Sequence, residues 1–148
     1  MNPANPNDPQ TVEVRIRSIL ILWFAMLLSV GFYYFFTFIK GRSENLIANP
    51  SLSLVLLGAG VSMTLISFVI KAKLLTKAVE QQNLGMVQQA YIVTFAITEV
   101  AALLGLLDFF ATSDRYYYGL FIIAAIGMLL HFPRREHVVN AAFKNSVM

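Results

Sequence analysis

Four long apolar runs, at 19–39, 52–70, 86–110 and 116–132, separate the charged residues of this 148-residue chain into clusters. A helix needs about 20 consecutive apolar residues to cross the hydrocarbon core of a bilayer, which is about 30 Å thick. The first three runs have this length, and the fourth is shorter but can extend to Arg115 or Pro133 at its ends. Only 13% of the residues are charged, against about 25% in typical soluble proteins. The sequence therefore predicts an all-α integral membrane protein, a bundle of four transmembrane helices.

These runs and their flanking residues predict helices at about 14–40, 51–79, 86–111 and 115–132, in one membrane domain that covers 12–148. Residues 1–11 contain three prolines and no core-forming side chains, so a disordered, extended tail is expected there. Asn49 and Pro50 are typical of a helix cap and a first helical turn. Gly85 is the expected break before the third helix, and an interfacial helix is expected at 137–147.

The basic residues are distributed unequally between the two ends of the predicted helices. With the amino terminus inside and four crossings, the inner side carries Arg15, Arg17, Lys71, Lys73, Lys77, Arg134, Arg135 and Lys144, and the outer side carries Lys40, Arg42 and Arg115. An excess of Lys and Arg in short loops marks the cytoplasmic side, so both termini are predicted to be cytoplasmic. We expect the plasma (inner) membrane of a bacterium as the location, and bilayer lipids rather than nucleic acid as the partner.

Glu99 lies near the middle of the third apolar run, where an acidic residue is unexpected. A charged side chain at the centre of a membrane helix costs about 2.5–3.5 kcal/mol on insertion scales. The apolar runs contain no basic residue at that depth, so we expect a protonated, hydrogen-bonded carboxyl group and not an ion pair. Thr94 and Thr98 are the candidate donors, and with Glu99 they form the predicted ion- or proton-binding set.

Three roles for Glu99 remain open from the residues alone. It could carry protons or cations as part of a translocating or relay subunit, because intramembrane acids often mark such paths. It could be a structural residue that ties helices together in a non-catalytic scaffold or accessory protein. The third alternative is a ligand for a lipid or cofactor, although no cofactor-binding residue is predicted.

The segment around Glu99 resembles the second helix of the rotary ATP synthase c subunit, the proteolipid. That helix carries one acid, then Ala at plus three, Gly at plus six and a large aliphatic residue at plus seven, which are here Glu99, Ala102, Gly105 and Leu106. The resemblance covers residues 52–110 and implies a helical hairpin with a cytoplasmic loop. It also implies that Glu99 carries a proton or sodium ion. The glycine repeat of that family's first helix is represented here by Gly58 and Gly60.

Two pairs of small residues, Gly58 with Ser62 and Ala101 with Gly105, have the four-residue spacing that lets helix backbones approach closely. They predict tight helix packing, and they leave open whether the chain forms a homo-oligomer or joins a larger membrane complex.

The remaining polar residues do not indicate an enzyme. The chain has no cysteine, which excludes thiol catalysis and Cys-ligated metals, and it has no phosphate-binding glycine loop or zinc motif. Asp108 is expected to contact water near the outer end of its helix, and His131 and His137 are expected at the membrane interface rather than in a metal site. Asp108, Asp114 and His131 fall on both faces of the predicted membrane. We therefore predict neither catalytic residues nor a metal.

Overall fold

The computed structural model describes residues 9–41, 49–112 and 115–143 of the chain. These residues form five helices: α1 (Pro9–Lys40), α2 (Pro50–Glu80), α3 (Leu84–Ala111), α4 (Tyr117–Leu130) and α5 (Arg135–Ala142). The all-α prediction is confirmed for these residues. α1, α2 and α3 are each long and apolar enough to cross a membrane, and α4 and α5 pass the same test only as a pair bent by 46°. The described part of the chain thus has three apolar helices of spanning length, or four if the bent pair counts as one, as expected for a membrane-embedded protein.

The helix boundaries differ from the prediction mainly at the amino-terminal ends. α1 begins at Pro9, so the predicted tail overlaps a helix at residues 9–11, whereas residues 1–8 lie outside the described part. Proline is well tolerated there because the first helical N–H groups have no partner within the helix. α2 begins at Pro50 as expected, and Asn49 caps it by accepting a hydrogen bond from the Leu52 N–H at 3.1 Å.

The connection between α2 and α3 reverses direction at a different residue from the one predicted. Gly85 is inside the first turn of α3, and the Asn83 side chain accepts a hydrogen bond from its N–H at 2.9 Å. Gln82, with a φ of 47°, makes the sharp turn instead. The prediction of a break at Gly85 is therefore wrong, because an asparagine cap started the helix earlier.

The last two helices are shorter than predicted. α4 covers residues 117–130 within the expected 115–132. α5 covers 135–142, so it begins two residues before the expected 137–147 and ends five residues before its end. Residues 144–148 lie outside the described part of the chain. Pro133 lies between the two helices, where its missing N–H breaks no helical hydrogen bond.

α3 is the central helix of the fold, because it contacts α1, α2, α4 and α5. It is antiparallel to α2, since Ser53 near the start of α2 bonds Asp108 near the end of α3. α1 packs on α3, α4 and α5, but within the described residues it makes no contact with α2. The result is a compact group of α2, α3 and α4 with α1 attached on one side.

Small residues allow helices to approach closely. Of the two predicted pairs, Ala101 with Gly105 lies at such a contact, and Gly58 with Ser62 does not. A Cβ atom at Gly105 would lie 3.1 Å from the Leu120 Cβ of α4, and one at Gly60 of α2 would lie 3.5 Å from the Ala101 Cβ, so the Ala101–Gly105 pair packs closely against α4 and α2. Gly58 and Ser62 are exposed, and nothing lies within 4 Å of a Cβ placed at Gly58. Gly60, two residues later, is the buried glycine of α2, so the packing prediction for Gly58 and Ser62 is wrong within this chain.

Candidate functional site

Glu99 lies at the contact between α3 and α1, which we call the α1–α3 seam. Its Oε1 accepts a hydrogen bond from Tyr33 OH at 3.0 Å and lies 2.5 Å from Ser29 Oγ, whose single hydrogen is shared between Oε1 and the Met26 carbonyl at 2.8 Å. Ser29 and Tyr33 are four residues apart on α1, so both side chains lie on the same helix face. The carboxyl group is partly buried. Sequence reasoning missed both donors, although their hydroxyls and their spacing in the first apolar run were visible.

The hydrogen bonds to Glu99 are confined to one of its two carboxyl oxygens. Both donors bond Oε1, and among the described residues no side chain or backbone N–H donates to Oε2. No Lys or Arg of the described ranges forms an ion pair with Glu99; the ion pair found there joins Arg135 to Glu13 at 4.0 Å. Among the described residues, Glu99 is therefore held by hydroxyl groups of α1 and not by an ion pair.

Thr94 and Thr98 are not part of the Glu99 group. Both are fully buried; Thr94 Oγ1 donates to the Ala90 carbonyl at 2.6 Å, and Thr98 Oγ1 donates to the Thr94 carbonyl at 2.9 Å. Thr98 Oγ1 also lies 3.3 Å from Ser67 Oγ of α2. Adjacent residues of a helix point about 100° apart, so Thr98 faces α2 while Glu99 faces α1. The predicted three-residue set is therefore not brought together.

His131 forms a second polar group, buried between α2, α3 and the end of α4. Its ring is fully buried, its Nε2 shares a 2.7 Å hydrogen bond with Ser67 Oγ, and it stacks on Phe68 with ring centroids 4.1 Å apart. Ser67 Oγ donates its single hydrogen to the Thr64 carbonyl at 2.6 Å, so Nε2–H is the donor to Ser67. Nδ1 is then a buried acceptor without a partner. The sequence predicts His131 at the membrane interface, and it did not indicate that the ring would be buried between helices.

Asp108 forms a third polar group at the opposite end of α3. It is fully buried, and its Oδ1 accepts hydrogen bonds from Ser53 Oγ at 2.6 Å and Thr112 Oγ1 at 2.9 Å. Its Oδ2 is buried and has no hydrogen-bond partner. The expectation that water surrounds Asp108 is wrong, because Ser53 of α2 and Thr112, one helical turn further on, cover the carboxyl group.

A basic and aromatic cluster occupies the end of the fold where His131 lies. Tyr91 OH shares a 2.6 Å hydrogen bond with His137 Nδ1 and accepts one from the Arg134 backbone N–H at 3.1 Å. The Lys71 ammonium group lies 4.7 Å from the centre of the Tyr91 ring. Among the described residues, no group of three or more His, Asp or Glu side chains is placed to hold a metal ion.

An open apolar groove lies between α1 and α4, away from these polar groups. Its volume is about 520 Å³, and its lining consists of Leu27, Val30, Gly31, Tyr34, Tyr118, Phe121, Ile122 and Ala125. Glu99 is not part of this lining, so the carboxyl group does not open into the groove.

Comparison with known proteins gave no match to this chain: no family model, no curated protein and no solved structure is similar to it. Its function therefore has to be argued from its own geometry.

Proposed function

We propose that this chain is a bundle of four transmembrane helices with both termini on the cytoplasmic side of a bacterial plasma membrane. α1, α2 and α3 supply three crossings, and α4 with its flanking residues supplies the fourth, with α5 bent toward the membrane surface. The positions of the charged residues support this arrangement. Arg15 bonds Gln88 and Arg135 pairs with Glu13, so these basic residues of the predicted cytoplasmic set share one end of the fold.

Within this bundle we propose a non-catalytic scaffold or accessory role, in which Glu99 is a structural hydrogen-bond acceptor that holds α1. The observation that carries this proposal is that both donors to Glu99, Ser29 and Tyr33, come from α1. α1 needs such contacts because only 11% of its most apolar stretch is buried. In a membrane, apolar surface gives little preference for another helix over lipid, so packing and hydrogen bonds decide helix association.

Polar contacts hold α1 at two further levels. Near its start, the Arg15 guanidinium donates to the Gln88 side chain of α3. Half-way along, Trp23 Nε1 donates to the Met128 carbonyl of α4 at 2.8 Å. The Glu99 contact is the third level. α1 is thus attached through spaced polar contacts, while α2, α3 and α4 pack closely, as expected for a protein whose outer helix presents a surface to lipid or to other membrane helices.

The first prediction tests Glu99 as a tie between helices. We expect Glu99→Leu to lower the free energy of unfolding by about 1–2 kcal/mol, since interhelical hydrogen bonds in membranes average about 0.6 kcal/mol each and two are lost. Glu99→Gln retains an oxygen acceptor at the same place, and we expect it to cost less than about half of that. The measurement is unfolding of the purified full chain by denaturing detergent, followed by circular dichroism.

A double-mutant cycle supplies the control. Tyr33→Phe should destabilise the wild-type chain but have no further effect in the Glu99→Leu variant, because its partner is already gone. Ser29→Ala should likewise destabilise the wild-type chain. Ser62→Ala is its matched control, since Ser62 is exposed and its hydroxyl bonds the Gly58 carbonyl of its own helix. Additive losses at Tyr33 and Glu99 would contradict the proposal.

A second candidate function is proton or cation translocation through Glu99, as the resemblance to the proteolipid hairpin implies. The observation that favours it is that Glu99 is only partly buried and its Oε2 receives no donor from the described residues. A proton could therefore exchange at Oε2 without breaking the bonds at Oε1. The test is proton and sodium flux into liposomes that contain the purified chain. Flux that is present in the wild type and lost in a stably folded Glu99→Gln variant would replace the scaffold proposal.

Neither proposal includes an enzymatic activity, a cofactor or a metal. The bilayer is the proposed partner, and self-association or membership of a larger membrane complex is the role that a scaffold would serve. The size of the particle in detergent tests the proteolipid-like form of translocation, because that form requires a ring of many copies and a monomer contradicts it.

A further inference from the structure

The Lys71 ammonium group is placed where it lacks a counterion. It is partly buried where α2, α3 and the link between α4 and α5 meet. Its contacts are a long hydrogen bond to the His131 carbonyl at 3.4 Å and the face of the Tyr91 ring. An ammonium group has three N–H donors, and among the described residues no carboxylate pairs with Lys71. The protein contacts of this ammonium group therefore replace only part of the hydrogen bonds to water that it lost on burial.

Arg134 adds a second positive charge to the same place. Its backbone N–H donates to Tyr91 OH, which belongs to the ring that Lys71 covers. One tyrosine side chain thus contacts both the Lys71 ammonium group and the Arg134 backbone, which brings the two basic residues next to each other. Glu136 of α5, an acid two residues after Arg134, is exposed and forms no ion pair among the described residues. Arg135, the neighbouring basic residue, already has Glu13 as its partner.

Exposed apolar residues adjoin His131 in the sequence, and one of them, Phe132, also contacts the Trp23 ring of α1 with ring centroids 5.1 Å apart. Leu130 is 63% exposed and Phe132 is 50% exposed, and they flank the His131 carbonyl that Lys71 contacts. On α2, Lys71 follows the apolar run 52–70 without an intervening polar residue. A cation pair at the end of an apolar span, next to exposed apolar side chains, offers phosphate contacts and acyl-chain contacts together.

We propose that Lys71 and Arg134 form a binding site for the phosphate of an anionic phospholipid headgroup, whose acyl chains lie along the exposed surface of Leu130 and Phe132. The phosphate oxygens supply the acceptors that Lys71 lacks, and their negative charge removes the repulsion between the two cations. The site depends on the chain being embedded in a membrane, but it does not depend on the role of Glu99.

The test is binding of phosphatidylglycerol to the full chain in detergent, measured by native mass spectrometry and by the shift in thermal unfolding. We expect phosphatidylglycerol, and not phosphatidylcholine, to bind and to stabilise the wild type. Lys71→Gln and Arg134→Gln should each weaken this binding about fivefold. Lys73→Gln is the matched control: it removes the same charge from the same helix at an exposed position, and it should leave binding unchanged.

Each other outcome overturns the proposal. If Lys73→Gln weakens binding as much as Lys71→Gln, the lipid responds to diffuse surface charge and no site exists. If inorganic phosphate or glycerol phosphate gives the full stabilisation, the site takes a free anion and not a lipid. Arg134 is exposed, so Arg134→Gln decides the question if Lys71→Gln does not fold. Unchanged binding in Arg134→Gln excludes the pair as a site, and the Glu99 experiments are unaffected by either result.

Discussion

The buried polar residues show how single side chains are accommodated in this fold. Asp108 and His131 are both fully buried, and both lie at contacts of α3 and α4 with α2. Each uses one polar atom in hydrogen bonds with serine or threonine and leaves the other without a partner. Glu99 differs, because it is only partly buried and faces α1. Buried polar groups are normally paired, so a substitution at Asp108 or His131 is expected to change stability more than one at an exposed position of the same helix.

Asp108→Ala tests the group at the end of α3. The substitution leaves the buried Ser53 hydroxyl without its carboxyl acceptor, and we expect the free energy of unfolding to fall by about 1–3 kcal/mol. Leu107→Ala is the control, because Leu107 is 52% exposed and precedes Asp108 directly; it should change stability by no more than about 0.5 kcal/mol. Unfolding in denaturing detergent measures both. Equal losses of unfolding free energy in the two variants would show that the hydrogen bonds of Asp108 add nothing to stability.

At the scale of helices, close packing concentrates where α2, α3 and α4 meet. Gly127 of α4 faces Thr64 of α2 and Thr98 of α3, and a Cβ at Gly127 would lie 2.8 Å and 2.9 Å from their methyl groups. Both threonines are β-branched and their hydroxyls bond backbone carbonyls of their own helices. Their methyl groups are therefore hard to move, because rotation about χ1 would break those hydrogen bonds.

Gly127→Ala is expected to destabilise the fold by about 1–3 kcal/mol, as overpacking of a tight interface does. Gly58→Ala is the matched control: it adds the same methyl group to α2, where nothing lies within 4 Å. It should be neutral or slightly stabilising, since alanine favours a helix over glycine by about 1 kcal/mol. Thermal unfolding of the two variants in the same detergent gives the comparison. A similar loss in both would mean that the α2–α3–α4 contact is not formed as described.

The whole molecule combines a tightly packed group of three helices with a peripheral α1. α3 holds the assembly together, and α1 adds polar contacts to α3 and α4 without reaching α2 in the described residues. The opposite ends of the fold differ in charge. One end carries Arg15, Lys71, Arg134 and Arg135. The other end carries Lys40, the last residue of α1, and Arg115, which precedes α4. This distribution is the basis of the proposed topology.

The topology is testable by cysteine labelling, because the chain has no cysteine of its own. Single cysteines at the exposed positions Glu136 and Lys40 should react with a membrane-impermeant maleimide from opposite sides. We expect Glu136→Cys to be labelled only in inverted vesicles and Lys40→Cys only in intact cells, since the basic excess stays in the cytoplasm. Labelling of both positions from one side would contradict four crossings, and the reverse pattern would contradict the orientation.

The sequence by itself determined that the chain is helical and suited to a membrane, and it gave the approximate helix bounds, because both follow from the length of apolar runs and from local caps such as Asn49. It also identified Glu99 as an unusual residue, and it contains no basic residue at the same depth in the other apolar runs. Tertiary structure decided which residues meet: Glu99 with Ser29 and Tyr33, Thr98 with Ser67, Asp108 with Ser53. These contacts depend on how each helix is rotated about its own axis. In a chain that is apolar on every face, periodicity does not specify that rotation, and only close packing between helices sets it.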